Sequence, residues 1–259
     1  MLNFAIETAR AAGHVLLEKF GGKLEVVKKG DIDLVTEADL ASEALIIERI
    51  RTHHPQHSVL AEESGESVRI DDSLWKWIID PLDGTTNYTH GYPCFCVTIA
   101  LENNGRLVLG VTYDPTRDEL FAAEKYQGAS LNHKPVKVSG TENLSDSMLV
   151  TGFPYDHSKR DNLAYTFENF LMKSRAVRRD GSAALDLAYV ACGRFDGFWE
   201  EGLNPWDVAA GVLMIEEAGG RATSYDGSDV DIYSPPFCAS NSKIHKEMLA
   251  ILNSAPKSS

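Results

Sequence analysis

The stretch Trp77-Ile78-Ile79-Asp80-Pro81-Leu82-Asp83-Gly84-Thr85-Thr86-Asn87 constrains this chain more than any other. Large apolar residues run straight into Asp80 and, three positions later, Asp83, with Pro81 stiffening the link. A short unbroken apolar run reads as a buried strand. A strand that delivers acids at its C-terminal end offers hard oxygen ligands, which suit Mg²⁺. Gly-Thr-Thr can then open a helix whose free N–H groups face an anion. One short segment would thus set a metal beside a phosphate.

The rest of the composition narrows the field. With 259 residues, 43% hydrophobic and 24% charged, the chain has the profile of a soluble globular protein able to bury a substantial core. A formal net charge of -13 disfavours nucleic acid and anionic membranes as direct partners, while leaving a phosphorylated substrate open, because bound Mg²⁺ would reverse the local field. Met1 to Phe20 carries Glu7, Arg10, His14, Glu18 and Lys19 among its apolar residues, which predicts an amphipathic helix and not a signal peptide's core. No run approaches the roughly 18 apolar residues of a membrane span. Cys94, Cys96, Cys192 and Cys238 are sparse and lack the spacing of a zinc site, so reduced core thiols in a cytoplasmic protein are expected.

Periodicity predicts a helix over 2–20 and a polar loop over Lys28–Asp33. A second helix begins at Thr36, with Asp39 as the acid of a capping box, and ends at His53-His54-Pro55. The histidines around that proline, His57 included, read as surface residues. Ser58–Ala61 reads as a short strand delivering Glu62-Glu63, and 64–73 as a polar loop. Strands follow at Phe95–Glu102, Arg106–Tyr113, Glu119–Glu124 and near Val136–Val138, with Asn103-Asn104-Gly105 as a hairpin turn. Tight turns between them imply an antiparallel sheet with helices on one face. From about residue 145 strands alternate with helices: strands at Ser147–Thr151, Phe195–Glu200 and Phe237–Ser240, helices at Arg160–Lys173, Ser182–Cys192, Asp207–Ala218 and Ser242–Leu252. The expectation is one unit of two packed halves, about 1–145 (α+β) and 146–259 (α/β).

Glu62, Asp80, Asp83 and Asp207 all fall at element ends. Singly, each has a bland reading as a helix cap or a solvated acid. Together, beside a Gly-Thr-Thr helix start, they point to a binuclear metal site, where two cations need about four carboxylates. A hydroxyl such as Thr85 or Thr86 could relay a proton from water there. Gly181-Ser182 before Ala183-Ala184-Leu185 repeats the helix-start pattern, either as a second anion site or as plain capping. No phosphate-loop lysine motif and no G-x-S-x-G elbow occurs. Lys28-Lys29 and Arg178-Arg179 read as solvated basic pairs.

Glu62-Glu63-Ser64, the Asp80-Pro81-Leu82-Asp83-Gly84-Thr85-Thr86 segment and Pro205-Trp206-Asp207-Val208-Ala209-Ala210-Gly211 resemble the inositol monophosphatase family. The similarity runs from Leu34-Val35-Thr36-Glu37-Ala38-Asp39 to Glu216-Glu217-Ala218-Gly219-Gly220, and Gly152-Phe153-Pro154 with Gly181–Tyr189 resembles the bacterial branch. The resemblance implies a layered α-β-α-β-α sandwich of the inositol monophosphatase and fructose-1,6-bisphosphatase type. It implies Mg²⁺ held by Glu62, Asp80 and the Leu82 carbonyl, a second Mg²⁺ held by Asp80, Asp83 and Asp207, and a third, weaker one near Glu62. Thr85, supported by Asp39 and Glu62, would activate water. The N–H groups of Gly84 and Thr85 would hold the phosphate, while Gly181, Ser182, Ala183, Glu200 and Asp207 would line the substrate pocket. The implied reaction is hydrolysis of a small phosphorylated alcohol, inositol 1-phosphate first. Fructose 1,6-bisphosphate, histidinol phosphate and 3′-phosphoadenosine 5′-phosphate are alternatives. Lithium sensitivity, a homodimer and, by analogy with bacterial relatives, association with RNA polymerase are further implications. Asp180 stands where many relatives are neutral; it reads as a partner for Arg178 or Arg179, or more sharply as a subsite for a cationic alcohol.

Overall fold

The computed structural model describes residues 1–22, 26–28, 34–68, 70, 73–154, 161–234 and 236–254. Among them the chain runs α1 (Leu2–Lys19), β1 (Val26–Lys28), β2 (Leu34–Thr36), α2 (Glu37–His53), β3 (Ser58–Ala61), β4 (Gly65–Val68), β5 (Trp75–Asp83) and α3 (Thr85–Thr89). Next come β6 (Cys96–Asn103), β7 (Arg106–Asp114), β8 (Glu119–Glu124), β9 (Gly128–Leu131) and β10 (Lys134–Val136). After them are β11 (Met148–Thr151), α4 (Asp161–Lys173), β12 (Ala176–Arg178), α5 (Ala183–Ala191), β13 (Gly197–Glu200), α6 (Pro205–Glu217), β14 (Arg221–Ser224), β15 (Phe237–Ser240) and α7 (His245–Leu252).

Eight strands pair in the order β10-β9-β8-β7-β6-β5-β3-β4, antiparallel except for the β3–β5 pair. Five more pair as β12-β11-β13-β15-β14, with β11 parallel to both its neighbours. Helices α1 and α2 cover one face of the larger sheet, α5 and α6 fill the space between the sheets, and α4 and α7 close the far side. The layers are therefore α-β-α-β-α, as the family resemblance implies. Residue patterning alone suggested helices on one face of the first sheet; α6 packs on its other face, against β5 to β8.

The middle layer explains why its helices look so apolar. Every residue of α5 is buried, as is Val208–Ile215 of α6, because each helix has a sheet on both sides. Strand β5 is likewise covered twice: Trp77 and Ile79 face α1 and α2, while Ile78 faces α5 and α6. On the outer side, Phe170 stacks on Trp199 at 3.9 Å between ring centroids. Truncating a buried aromatic of this size costs about 3–5 kcal/mol.

Several sequence expectations change. Residues 64–73 were expected as a loop, but β4 pairs antiparallel with β3, supplying the partners that the outer edge of β3 would otherwise lack. Its polar composition suits a sheet edge. The short strands β9, β12 and β14 were too brief or too polar to stand out. His57 is not a surface residue: it is 9% exposed, accepts from the Trp77 indole N–H at 3.0 Å and stacks on Trp75. Of the expected 28–33 loop, Lys28 lies in β1, and 29–33 fall outside the described residues. Asn104 and Gly105 both have positive φ, as a tight hairpin turn requires.

Candidate active site

A regular strand sends residues three apart to opposite faces. Asp80 and Asp83 nevertheless line the same cavity. The reason lies in the β5–β6 register, where Asp80 pairs with Thr98 but Asp83 pairs with Cys96, so three steps on β5 oppose two on β6. One extra residue reverses the alternation beyond Asp80. Leu82 then packs with the α1/α2 core, and Asp83 turns towards α5. Gly84 follows with φ 96°, a left-handed turn in which a Cβ would meet the Cys94 carbonyl at 2.9 Å. Helix α3 begins at Thr85 and lasts only five residues.

The cavity, of about 130 Å³, is lined by Glu62, Asp80, Leu82, Asp83, Gly84, Thr85, Gly181, Ser182, Ala183, Glu200 and Asp207. These are all the site residues anticipated from sequence except Asp39. Asp39 stands directly behind, where its Oδ1 accepts from the Thr85 hydroxyl at 3.2 Å and its Oδ2 completes the capping box with Thr36. The Thr85 hydroxyl also lies 3.1 Å from the Leu82 carbonyl.

Asp80, Asp83 and Asp207 each have one oxygen anchored. Asp80 Oδ1 accepts from the Leu82 N–H at 2.9 Å, and Asp207 Oδ2 from the Asn204 N–H at 2.6 Å. Asp83 Oδ2 accepts from the Ser182 hydroxyl at 2.5 Å and the Ala184 N–H at 2.8 Å. The N-terminus of α5 therefore does receive an anion, and that anion is Asp83 from the other sheet. Cys96 adds a weak thiol contact to the same oxygen at 3.8 Å. Asn87 ties the two halves of the rim together, donating to the carbonyls of Cys94 (2.7 Å) and Asp180 (2.8 Å).

The electrostatics are those of crowded like charges. Burial pushes the Asp80 carboxyl well above the usual range, and Glu62, Asp83 and Asp207 push it further. Asp207 is raised by burial and then by Asp83. Burial raises Asp83 as well, against the opposing pull of Ser182 and Ala184. Glu200 is pushed up to about 8, chiefly by burial. Its carboxylate lies directly over Gly152, where any Cβ would collide with it.

Among the described residues, no group of three or more His, Cys, Asp or Glu side chains is already gathered to hold a metal ion. The donor set nonetheless fits a hard cation. Four carboxylates and the Leu82 carbonyl face one space, and the mutual repulsion at Asp80 is what a divalent cation would relieve.

The model of the inositol monophosphatase family matches residues 1–257. The chain belongs to that family. An inositol-1-monophosphatase of Synechocystis is 46% identical over 258 residues, 99% of this chain and 90% of the relative. The Nus factor SuhB of Escherichia coli K12 is 44% identical, over 96% of this chain and 94% of its own. Among solved structures, the inositol monophosphatase of Anabaena superposes with a TM-score of 0.90 at 49% identity, covering 98% of this chain and 96% of that one. An IMPase/NADP phosphatase complexed with Mg²⁺ and phosphate gives 0.83 at 27% identity, covering 95% and 92%.

Residue-by-residue reading missed part of this inositol monophosphatase-family cavity. Arg179, read as half of a solvated pair, lines it, and so does Asp186. Asp180 is not part of the lining; its carboxyl is raised by burial while Arg178, Arg117 and Arg179 act against that. A guanidinium, not the Asp180 carboxylate, is therefore presented to the cavity. Asp186 did leave a trace in the sequence, as the one acid in the otherwise apolar run 183–191.

Proposed function

We propose that this family phosphatase is a Mg²⁺-dependent phosphomonoesterase of small phosphorylated alcohols, with inositol 1-phosphate as first substrate. The observation that carries this reading is Asp80: a buried carboxyl repelled by three others, beside a threonine hydroxyl backed by a second buried acid. Glu62, Asp80, the Leu82 carbonyl, Asp83 and Asp207 would hold two Mg²⁺, with a third, weaker one near Glu62. Bound there, Mg²⁺ supplies Lewis acidity, neutralising the phosphoryl oxygens and the departing alkoxide.

The chain's own groups do the rest. The Thr85 hydroxyl donates to Asp39 Oδ1, so its lone pairs accept from the attacking water and orient it. Asp39, raised by burial, takes the proton that Thr85 passes back. The N–H groups of Gly84 and Thr85 hold the phosphate, acting as individual donors because a helix as short as α3 has little macrodipole. Gly181, Ser182 and Ala183 shape the alcohol pocket, and Glu200 and Asp207 accept from its hydroxyls.

The test is phosphate release from a panel holding inositol 1-phosphate, fructose 1,6-bisphosphate, histidinol phosphate and 3′-phosphoadenosine 5′-phosphate, with and without Mg²⁺. Mg²⁺-dependent release, greatest for inositol 1-phosphate, is expected; release without added metal in the presence of a chelator would sink the metal reading. Lithium inhibition and a homodimer on sedimentation belong to the same proposal. The name of the Escherichia coli relative favours a second role, association with the transcription machinery in the cytoplasm. Capture of RNA polymerase on the immobilised protein tests it, and a clean failure to bind rejects it.

A further inference from the structure

Helix α5 is apolar at eight of its nine positions, and the exception is Asp186. The residue is 1% exposed, it lines the cavity, and its Oδ1 has no hydrogen-bond partner. An acid in the first turn of a helix ordinarily serves by accepting backbone N–H groups there. That duty is already filled, since the Ala184 N–H goes to Asp83. A buried carboxyl oxygen left without a donor is costly, and a native chain keeps one where something else supplies the donor. The charged groups that act on Asp186 are Asp180, Glu200, Asp83 and Arg179. Glu200 and Arg179 share its cavity.

We propose that Asp186 is a specificity-determining residue of the alcohol subsite, accepting at Oδ1 a hydrogen bond from a substrate hydroxyl other than the one Glu200 receives. Two buried carboxyls lining one cavity call for two hydroxyl donors on one molecule. The substrate class selected is a phosphorylated alcohol with at least two further hydroxyls. This inference rests on the phosphatase reading above.

The experiment compares kcat/KM for inositol 1-phosphate and for p-nitrophenyl phosphate, which has no free hydroxyl, in the wild type, Asp186→Leu and Asp186→Ala. Melting temperatures are taken in the absence of substrate. Losing one hydrogen bond to an acid lowers the ratio of the two kcat/KM values by about tenfold in both variants. The change falls mainly on the KM for inositol 1-phosphate. Leucine has nearly the shape of aspartate and no orphan oxygen, so Asp186→Leu melts at the wild-type temperature or above it. An unchanged ratio overturns the inference, and so does a lower melting temperature with equal losses on both substrates, which marks a structural acid. Should leucine prevent folding, the ratio in Asp186→Ala decides; failure of both to fold also marks a structural acid. A wild type inactive on both substrates refutes the phosphatase reading itself. An active wild type with an unmoved ratio refutes only the role of Asp186.

Discussion

Two groups of buried acids in this molecule have opposite characters. Asp196, 7% exposed at the entry to β13, is saturated: the Ser139 hydroxyl donates at 2.5 Å and the Met148 N–H at 2.6 Å. Asn241 closes the network, donating to Ser139 and to the Thr141 carbonyl. In the cavity, by contrast, Asp80 faces three other acids and Asp186 keeps an oxygen with no donor. Both groups are buried. The difference shows that burial by itself says nothing about role. A carboxylate whose oxygens are matched by fixed donors holds the fold, whereas carboxylates set against one another hold a place for something the chain does not supply.

The contrast can be broken or sharpened by experiment. Asp80→Asn should lower Mg²⁺-dependent turnover by at least ~10³-fold, because it removes the carboxylate proposed to be shared between both cation positions. It should not lower the melting temperature of the metal-free protein, since one member of a repelling set has been neutralised. Near-normal turnover, or a clearly less stable protein, would remove Asp80 from the ligand set.

Asp196→Ala should behave in the reverse way. Losing two short hydrogen bonds to a buried carboxylate costs about 3–5 kcal/mol in urea unfolding. Turnover per folded molecule should stay within about twofold, because surface-distant changes leave the cavity donors in place. A selective loss of activity without loss of stability would erase the contrast.

A third buried polar group tests the structural side by pH. His245, 2% exposed, lies between Thr223 and Ser240, each 2.9 Å away, and burial lowers its pKa from 6.5 to about 4. Its folded pKa lies below its unfolded value, so the unfolded chain takes up the proton first. This contribution is whole above pH 6.5 and is lost as pH falls towards 4, about 3 kcal/mol in all. His245→Gln should flatten stability between those pH values; an unchanged slope would place the acid sensitivity elsewhere.

Cation binding tests the other side. The cavity acids have raised folded pKa values, so they resist ionisation in the metal-free protein. Saturating Mg²⁺ should raise the melting temperature by roughly 5 °C at pH 8 and by less at pH 5.5, where protons compete for the same oxygens. A larger shift at the lower pH would contradict the ligand assignment. The smallest effect is expected at Asp180, outside the cavity lining. Asp180→Ala should change the preference between inositol 1-phosphate and histidinol phosphate by no more than about twofold.

The layers were largely legible in the sequence because burial on two faces leaves a local mark. The Trp77–Ile79 run and the apolar lengths of α5 and α6 could only belong between other elements. The capping box at Thr36 and Asp39 was equally plain, being a contact three residues long. Four of the acids stood out only as a set, although a regular strand would send Asp80 and Asp83 to opposite faces. The extra residue opposite Cys96 resolves this, and hairpin-scale patterning carries no signal for it.

Neighbours within a turn or a strand set the helix starts, the acid-tipped strand and the apolar runs of α5 and α6, and these could be read from the residues. Tertiary structure alone decided which of those pieces meet. Asp83 caps a helix a hundred residues away, Glu200 closes over Gly152, and Asp186 lines a wall built from the opposite sheet. The reason is one of range. Side-chain direction repeats every two or 3.6 residues and can be read locally, but a distance between two layers exists only once both sheets have packed on the helices between them.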